Sequence, residues 1–500
     1  MNSTMKKFLI TTLIIFGFAL ISMPETKGQD VQKLTLEQVL ELASEQSPNA
    51  LIAKHRFRAS YWQYRTFVAE YRPSLTLSGT LPDYNRIYEK EYDYATGQES
   101  YVEKNTNNSS LNLGISQNVG LTGGSFYIQS DLTRFDVLGT NNSVQYITAP
   151  VSIGFSQPLF RYNSLKWQKK IEPLKYEEAR KTYLEAVEGV HLMAVQYFFN
   201  LALAQINSEI SELNYSNADT LYRIAQGRYN LGTIAEDELL QMELTFLNAG
   251  TAKNSASINL RDRELKLRSF LGYNESVRLE LQIPNEIPGL EVEVSRVLEL
   301  AMENSPQILA LQRQLLEAKS EVARARSEKG FNANLTASYG LRQQASTLPD
   351  SYVDPADQQR VRIGFTMPIL DWGLGRGRYK MAQSSEELAA VQVQQAMIDF
   401  EQNLFLDVAQ FNLQDDQVRI AAKADTVAQK MYEVTKQRFL IGRIDVLELN
   451  NADTKKDQNR RAYIQSLQDY WTYFYNIRSI TLYDFVRNEP LVSDYENLIK

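Results

Sequence analysis

Two short stretches carry the chemistry most worth following in this chain. Arg228-Tyr-Asn-Leu-Gly232-Thr233 is followed by Glu236, Asp237 and Glu238, and Arg438-Phe-Leu-Ile-Gly442-Arg443 is followed by Asp445 and Glu448. A glycine at such a point supplies the positive φ that a helix reversal needs. Carboxylates crowded just beyond a reversal repel one another and attract cations; alternatively they are first-turn acids favoured by the helix dipole. Neither arrangement is catalytic. The sequence holds no Gly-rich phosphate loop, no nucleophile elbow and no His–acid pair at metal-ligand spacing. Cysteine is absent, which excludes disulfides and thiolate metal sites, and His55 and His191 are the only imidazoles. His191 stands beside Leu192 and Met193 in a helical stretch and reads as a packed residue rather than a ligand. The expectation is therefore no enzyme, no cofactor and no metal.

The elements that position these turns are written twice. Val39-Leu-Glu-Leu-Ala-Ser-Glu-Gln-Ser-Pro48 returns as Val297-Leu-Glu-Leu-Ala-Met-Glu-Asn-Ser-Pro306, and Ile153-Gly-Phe-Ser-Gln-Pro-Leu159 returns as Ile363-Gly-Phe-Thr-Met-Pro-Ile369. The two glycine turns follow at the same offset, so three markers recur in order. One structural unit is used twice to build one body.

Composition narrows the partners. The net charge of the 500 residues is -7, with acids and bases well mixed and no basic run to neutralise a phosphate backbone, so nucleic acid is excluded as a partner. Lys6-Lys7, an apolar stretch from Phe8 to Ile21 and small or polar residues up to Gly28 read as an export signal, an uncleaved inner-membrane anchor being the alternative. Beyond it no apolar run approaches the roughly 20 residues a membrane helix needs, so a bilayer would be crossed by β-strands.

Periodicity supplies the elements. Thr35-Leu-Glu-Gln opens a helix running to about Tyr71, after which Ser74 to Leu81 alternates with Leu75, Leu77 and Leu81 on one face. Similar alternation recurs at Leu111–Ile115, Phe126–Leu132, Val151–Phe155, Leu335–Leu341 and Val361–Phe365, near the length that spans a tilted membrane strand. From about Pro173 to Leu231 the composition favours one helix, roughly 90 Å long at about 1.5 Å per residue. Its counterpart runs from about Tyr379 to Ile441, with Ala424, Val427, Met431 and Val434 spaced as a coiled-coil seam. Shorter helices return over about Glu236–Leu271 and Asp445–Leu482, others lie near Leu36–Tyr71 and Val294–Lys329, and Val277–Ile283 reads as a small belt strand. Four to six strands cannot close a barrel and open edges are not tolerated in lipid, so the chain must oligomerise.

Taken together, the Ser-Pro helix starts at Pro48 and Pro306, the Gly-Phe-x-x-Pro strand ends at Pro158 and Pro368 and the Arg-aromatic-x-x-Gly turns resemble the TolC-like outer membrane efflux proteins. Ile444-Asp-Val-Leu-Glu-Leu-Asn-Asn451 and the tail Ile480-Thr-Leu-Tyr-Asp-Phe485 resemble the variant common among Bacteroidota. The resemblance implies an internally duplicated α+β membrane protein: a homotrimer whose outer-membrane β-barrel of 12 strands continues as a periplasmic α-helical barrel. It implies an exit duct of a tripartite efflux or type I secretion system, receiving cargo from an inner-membrane pump through a periplasmic adaptor. The implied adaptor-contact tips are Arg228, Gly232, Thr233, Arg438, Gly442 and Arg443. In a trimer, Glu236, Asp237, Glu238, Asp445 and Glu448 would be tripled around the axis as a periplasmic gate.

The expected division is an export signal over 1–28, a first repeat over 29–272, a linker over 273–292, a second repeat over 293–485 and a tail over 486–500. One feature departs from the family pattern. The strand region of the first half is about 48 residues longer than that of the second and holds an extra hairpin at Leu111–Leu132, turning at Gly120–Gly124. If the hairpin joins the wall, a trimer has 18 strands; the alternative folds it outside the barrel. Asp83–Ser110 is expected to be an extracellular loop. Two rivals stand beside the duct. A periplasmic adaptor would carry one helical hairpin between compact β-modules, and a structural coiled-coil protein would lack the barrel.

Overall fold

The computed structural model describes residues 31–93, 97–139, 142–273, 277–284 and 286–499; the expected export signal lies outside them. A strand β1 (Val31–Thr35) leads into helix α1 (Leu36–Gln46) through a reciprocal cap. The Thr35 hydroxyl accepts the Gln38 amide N–H at 3.3 Å, and the Gln38 side chain accepts the Thr35 N–H at 3.0 Å. The single helix expected to run to Tyr71 is instead two. Pro48 forces its predecessor out of the helical region, Ser47 sits at ψ 146°, and α2 (Pro48–Ala69) starts afresh with the Ser47 hydroxyl accepting the Ala50 N–H at 3.1 Å. The second repeat does the same: α5 (Val294–Asn304) stops at Ser305, whose hydroxyl caps α6 (Pro306–Glu328).

Four strands follow α2: β2 (Ser74–Asp93), β3 (Gln98–Val119), β4 (Gly124–Leu138) and β5 (Ser143–Leu159). The 67-residue helix α3 (Ser164–Asn230) and the 36-residue α4 (Glu236–Leu271) are matched in the second half by α7 (Leu374–Leu440) and α8 (Val446–Thr481), of 67 and 36 residues. Pro173 does not open α3; the helix begins nine residues earlier and carries the proline inside. One lost backbone bond there is outweighed by packing just beyond it, where Tyr176 and Tyr183 meet Phe57. One 18-residue window of α3 is apolar enough by composition for a membrane span, against the expectation that none would be, and 44% of it is buried inside the protein. Strands β6 (Arg278–Gln282), β7 (Asn332–Ala345) and β8 (Ala356–Thr366) complete the main elements, followed by the short pair β9 (Tyr483–Asp484) and β10 (Glu489–Pro490) and helix α9 (Tyr495–Ile499).

The chain forms two compact units, each drawing on both sequence repeats. The first holds residues up to Ile52, Val187–Glu291 and Gln410–Asn476. In it α1 packs on α4, and Val195, Phe198, Phe199, Leu201, Leu267 and Leu271 are fully buried. The belt strand β6 is present, but its partner β1 was not foreseen; they pair in parallel from Val31↔Arg278 to Thr35↔Gln282. The Gln205 amide donates to the Leu279 carbonyl at 2.8 Å and accepts the Leu281 N–H at 3.3 Å, so a two-stranded ribbon holds its open side against a helix. Tyr470, fully buried, donates its hydroxyl to the Pro288 carbonyl, and burial reinforced by Asp415 pushes its phenol well above the ordinary value.

The coiled-coil seam of α7 is displaced by one position. Val427, Met431 and Val434 lie on an exposed face, whereas Asp425, Ala428, Tyr432, Thr435 and Phe439, at the same three-four spacing, are buried within the chain. Ala424 is half-buried and the other three are exposed in the single chain, so packing within the chain falls to the adjacent set.

The second unit holds Ala53–Ala186, Val292–Ala409 and the residues from Ile477 onward. Phe57, Tyr64, Tyr176, Tyr183 and Tyr495 form an aromatic cluster in which Tyr64 stacks on Tyr176 at 4.6 Å. Arg313 bridges Glu178 at 2.6 and 3.0 Å and also meets Glu317 at 3.1 Å. The tail docks here: the Arg180 guanidinium lies 4.5 Å over the Tyr495 ring, and Arg478 pairs with Asp484 at 2.6 Å.

The sheet of this unit has the order β2-β3-β4-β5-β7-β8, antiparallel throughout. The extra hairpin β3–β4 lies inside the sheet rather than beside it. The segment Asp83–Ser110 is not a loop either, because β2 and β3 stay paired from Ser74↔Ser116 to Asp93↔Gln98. Opposite charges set diagonally across the ribbon, Arg86 with Glu103 at 2.8 Å and Lys104 with Glu89 at 2.6 Å, support a strand pair that composition alone assigns to loop.

Candidate functional site

Both glycine turns are helix C-terminal reversals of one kind. Gly232 has φ 69° and Gly442 φ 72°, values that side chains rarely adopt. At the first, the Gly232 N–H donates to the Tyr229 carbonyl at 2.8 Å and the Thr233 N–H to Arg228 at 3.0 Å. At the second, Gly442 donates to Phe439 at 2.9 Å and Arg443 to Arg438 at 3.0 Å. Each pair satisfies two carbonyls the helix would otherwise leave bare. The turns sit on a cluster of Tyr432, Phe439, Leu449 and Ala452, with Leu221, Ile444 and Val446 packed against it.

The two tips share one cavity of about 490 Å³, lined among others by Arg228, Thr233 and Glu238 from the first and Gly442, Arg443 and Asp445 from the second. The Arg228 guanidinium lies 5.9 Å over the Phe439 ring, which ties the tips together. Arg438 meets Glu448 at 3.5 Å, while Gly232, Glu236 and Asp237 are exposed and stand off the cavity wall. Asp445 caps α8 by accepting the Glu448 N–H at 2.8 Å, so one acid has a structural role of its own. By contrast Ala235 gives α4 no side-chain cap, and Glu236, Asp237 and Glu238 fill its first turn. Below the tips, burial pushes the Asp453 carboxyl above its ordinary value against the opposing hydrogen bond from Lys456.

In the sheet, strand alternation sorts the side chains into two faces. Following the pairing from Leu77↔Leu113 through Ile115↔Ile128, Ile128↔Ile153, Ile153↔Tyr339 and Ala337↔Val361, one face carries an apolar band across all six strands. Leu75, Leu77, Leu113, Phe126, Ile153, Ile363 and Phe365 on it are exposed. The other face is polar, with Ser74, Thr76 and Ser78 on β2, Asn112 on β3, Gln129 and Asp131 on β4, Thr336 and Ser338 on β7 and Arg360 and Arg362 on β8. A lipid-facing band about 25 Å tall backed by a polar interior is the pattern of a membrane β-barrel. The arginines of this polar face were not singled out from the sequence, although Arg360-Val361-Arg362 shows the alternation that places them. Among the described residues no cluster of His, Cys, Asp and Glu is arranged to hold a metal.

A sequence model of the outer membrane efflux protein family matches residues 39–273 and 297–481. The fold is similar to that of the CmeC outer membrane channel of Campylobacter jejuni, at 17% identity and a TM-score of 0.65, covering 93% of this chain and 88% of that one. It is also similar to the outer membrane protein VceC of Vibrio cholerae, at 13% identity and a TM-score of 0.58, covering 91% and 97%. No curated protein matches. The family match spans both helical hairpins and the strands between them, which sets aside the adaptor and the barrel-less coiled coil. With its two glycine-turn hairpins and its six-stranded antiparallel sheet, the chain belongs to the outer membrane efflux protein family.

Proposed function

We propose that three copies of this chain close a single outer-membrane barrel, six strands from each and eighteen in all, and that the pore passes cargo delivered by an inner-membrane pump through a periplasmic adaptor. The observation that carries this reading is the apolar band, which crosses β3 and β4 without a break and so treats the extra hairpin as wall. The sheet ends in two edges, β2 and β8, that run in opposite directions after five antiparallel steps. Copies set side by side therefore continue the antiparallel order and leave no open edge in lipid. A barrel of this size keeps a water-filled lumen. The bare Val427–Met431–Val434 face of α7 supports the same assembly, since it offers neighbouring copies a second seam.

The two repeats, 29–272 and 293–485, would then be the units that alternate around the pore. The tips at Arg228–Thr233 and Arg438–Arg443 are the surface we assign to the adaptor's helical hairpin. Cysteines placed in pairs in the same chain, one on β2 (Ser74–Thr80) and one on β8 (Arg360–Thr366), test the assembly. Oxidation is expected to give ladders up to a cross-linked trimer from pairs that meet across the seam, whereas monomers at every pairing would sink it.

The tip acids are assigned to a cation-attracting gate, tripled about the axis, where like charges repel and counter-ions gather. In planar bilayers, neutralising Glu236, Asp237 and Glu238 together should move the reversal potential toward lower cation selectivity. An unchanged reversal potential would leave these acids as first-turn residues of α4 and nothing more.

A further inference from the structure

We infer that the barrel lumen carries an arginine belt that binds multivalent anions of phosphate or carboxylate chemistry, an inference that rests on the exit-duct reading. Arg342 on β7 and Arg360 and Arg362 on β8 all lie on the polar face, at register positions Arg342↔Ala356, Ser338↔Arg360 and Thr336↔Arg362. Arg360 and Arg362 are two residues apart on one strand, about 7 Å, so both can engage a single polyanion. All three are exposed, and none forms an ion pair among the described residues. Together with Gln129, Asp131 and Gln358 they line a concavity of about 430 Å³.

The one acid of that concavity does not neutralise them. Asp131 is held by the side-chain amides of Asn112 and Gln129, the latter at 3.1 Å, on a strand two places away from β7. In the neighbouring copy's β2, Ser74, Thr76, Ser78 and Thr80 would lie on the same face, and Asp83, paired with Asn108, is the first acid of that strand on it. Guanidinium groups bind phosphate and carboxylate through paired N–H donors, and rings of arginine are a means by which pores favour anions. Repeated in each copy around a water-filled lumen, the belt concentrates anions by focusing the field in a low-dielectric wall. The barrel end and the acidic tips would thus have opposite electrostatic preferences, the tips drawing cations and the barrel holding anions.

The test uses the full-length protein in planar bilayers with tripolyphosphate as the probe, added to one side at a time. Wild-type pores should be blocked from the barrel side at lower concentration than from the tip side, and the block should weaken as salt rises. Replacing Arg342, Arg360 and Arg362 together by Gln should weaken barrel-side block at least tenfold, with the oligomer still recovered from the outer-membrane fraction. Arg362→Gln alone should give a smaller loss, which keeps the test open if the triple variant does not assemble. Arg360→Lys with Arg362→Lys should keep part of the block, since the charge remains and the paired donors are lost. Equal block in wild type and variants, or none from the barrel side, overturns the belt while leaving the duct standing. Outer-membrane oligomers that conduct no ions would overturn the duct reading and the belt with it.

Discussion

Leu113→Arg is expected to abolish recovery of the oligomer from the outer-membrane fraction, while Ser110→Arg, three residues earlier on the same strand, leaves it intact. Leu113 lies on the apolar face, opposite Leu77 on one side and Ser130 on the other, and is 46% exposed in the single chain. An arginine on the lipid face near the midplane costs about 2–4 kcal/mol, and a closed barrel carries it once per copy. Ser110 points to the polar face, opposite Thr80 and Thr133, where a charge meets water. Leu77→Arg on β2 serves as the reference, because β2 belongs to the wall whether or not the hairpin does. The readout is heat-modifiable oligomer on gels of extracted outer membranes. Normal oligomer from Leu113→Arg alongside loss from Leu77→Arg would put the hairpin outside the barrel and return the wall to four strands per copy.

Phe198→Ala should lower stability by about 3–5 kcal/mol, the range for a large aromatic removed from a packed core. Phe198 is fully buried and meets Phe199 edge to face at 5.2 Å and 77°. Leu201, Leu267 and Leu271 in the same unit are equally inaccessible, so no solvent-facing group can swing in to fill the space. In detergent, the urea midpoint followed by helical circular dichroism should fall for this variant. Leu244→Ala, at a residue 52% exposed on α4, should move it by no more than about 0.5 kcal/mol. Comparable midpoints for the two variants would mean that the helical unit does not unfold around this core. The pair also separates stability from conduction, because neither residue lies at a tip or in the sheet.

The duplication made much of this protein legible without coordinates. Three ordered markers located both long helices and both returns. Alternation in Leu75–Leu81 or Val361–Phe365 identifies a membrane strand because its period of two is a local property of the chain. The tips were equally legible, since a glycine after Arg-aromatic residues states the positive φ by itself. Capping by Asp445 could have been read from its position just before Val446, whereas the ion pair between Arg438 and Glu448 could not, because it joins two helices.

The failures share a cause. Composition is smooth across Ser47 and Ser164, whereas single residues set the boundaries: the Ser-Pro step at Pro48 divides the first helix, and the Asn163 side chain accepts the Lys166 N–H at the start of α3. The ribbon Asp83–Ser110 reads as a loop by composition because its Asn and charged residues are individually poor strand formers, yet cross-strand pairs such as Arg86–Glu103 reward their alignment. Two adjacent heptad stripes run along α7, and sequence does not say which one the chain covers itself.

The sequence alone determined that the chain is a doubled unit of strands and very long helices with glycine tips. Those features depend on backbone periodicity and on single-residue conformational limits, which act within a few residues. Only the tertiary structure decided that the extra hairpin lies between β2 and β5, that the tips share one cavity and that Arg342, Arg360 and Arg362 converge on the polar face. Strand register fixes the first and third of these relations and helix packing at the tips the second, and both are set by pairing and packing energies summed over many residues.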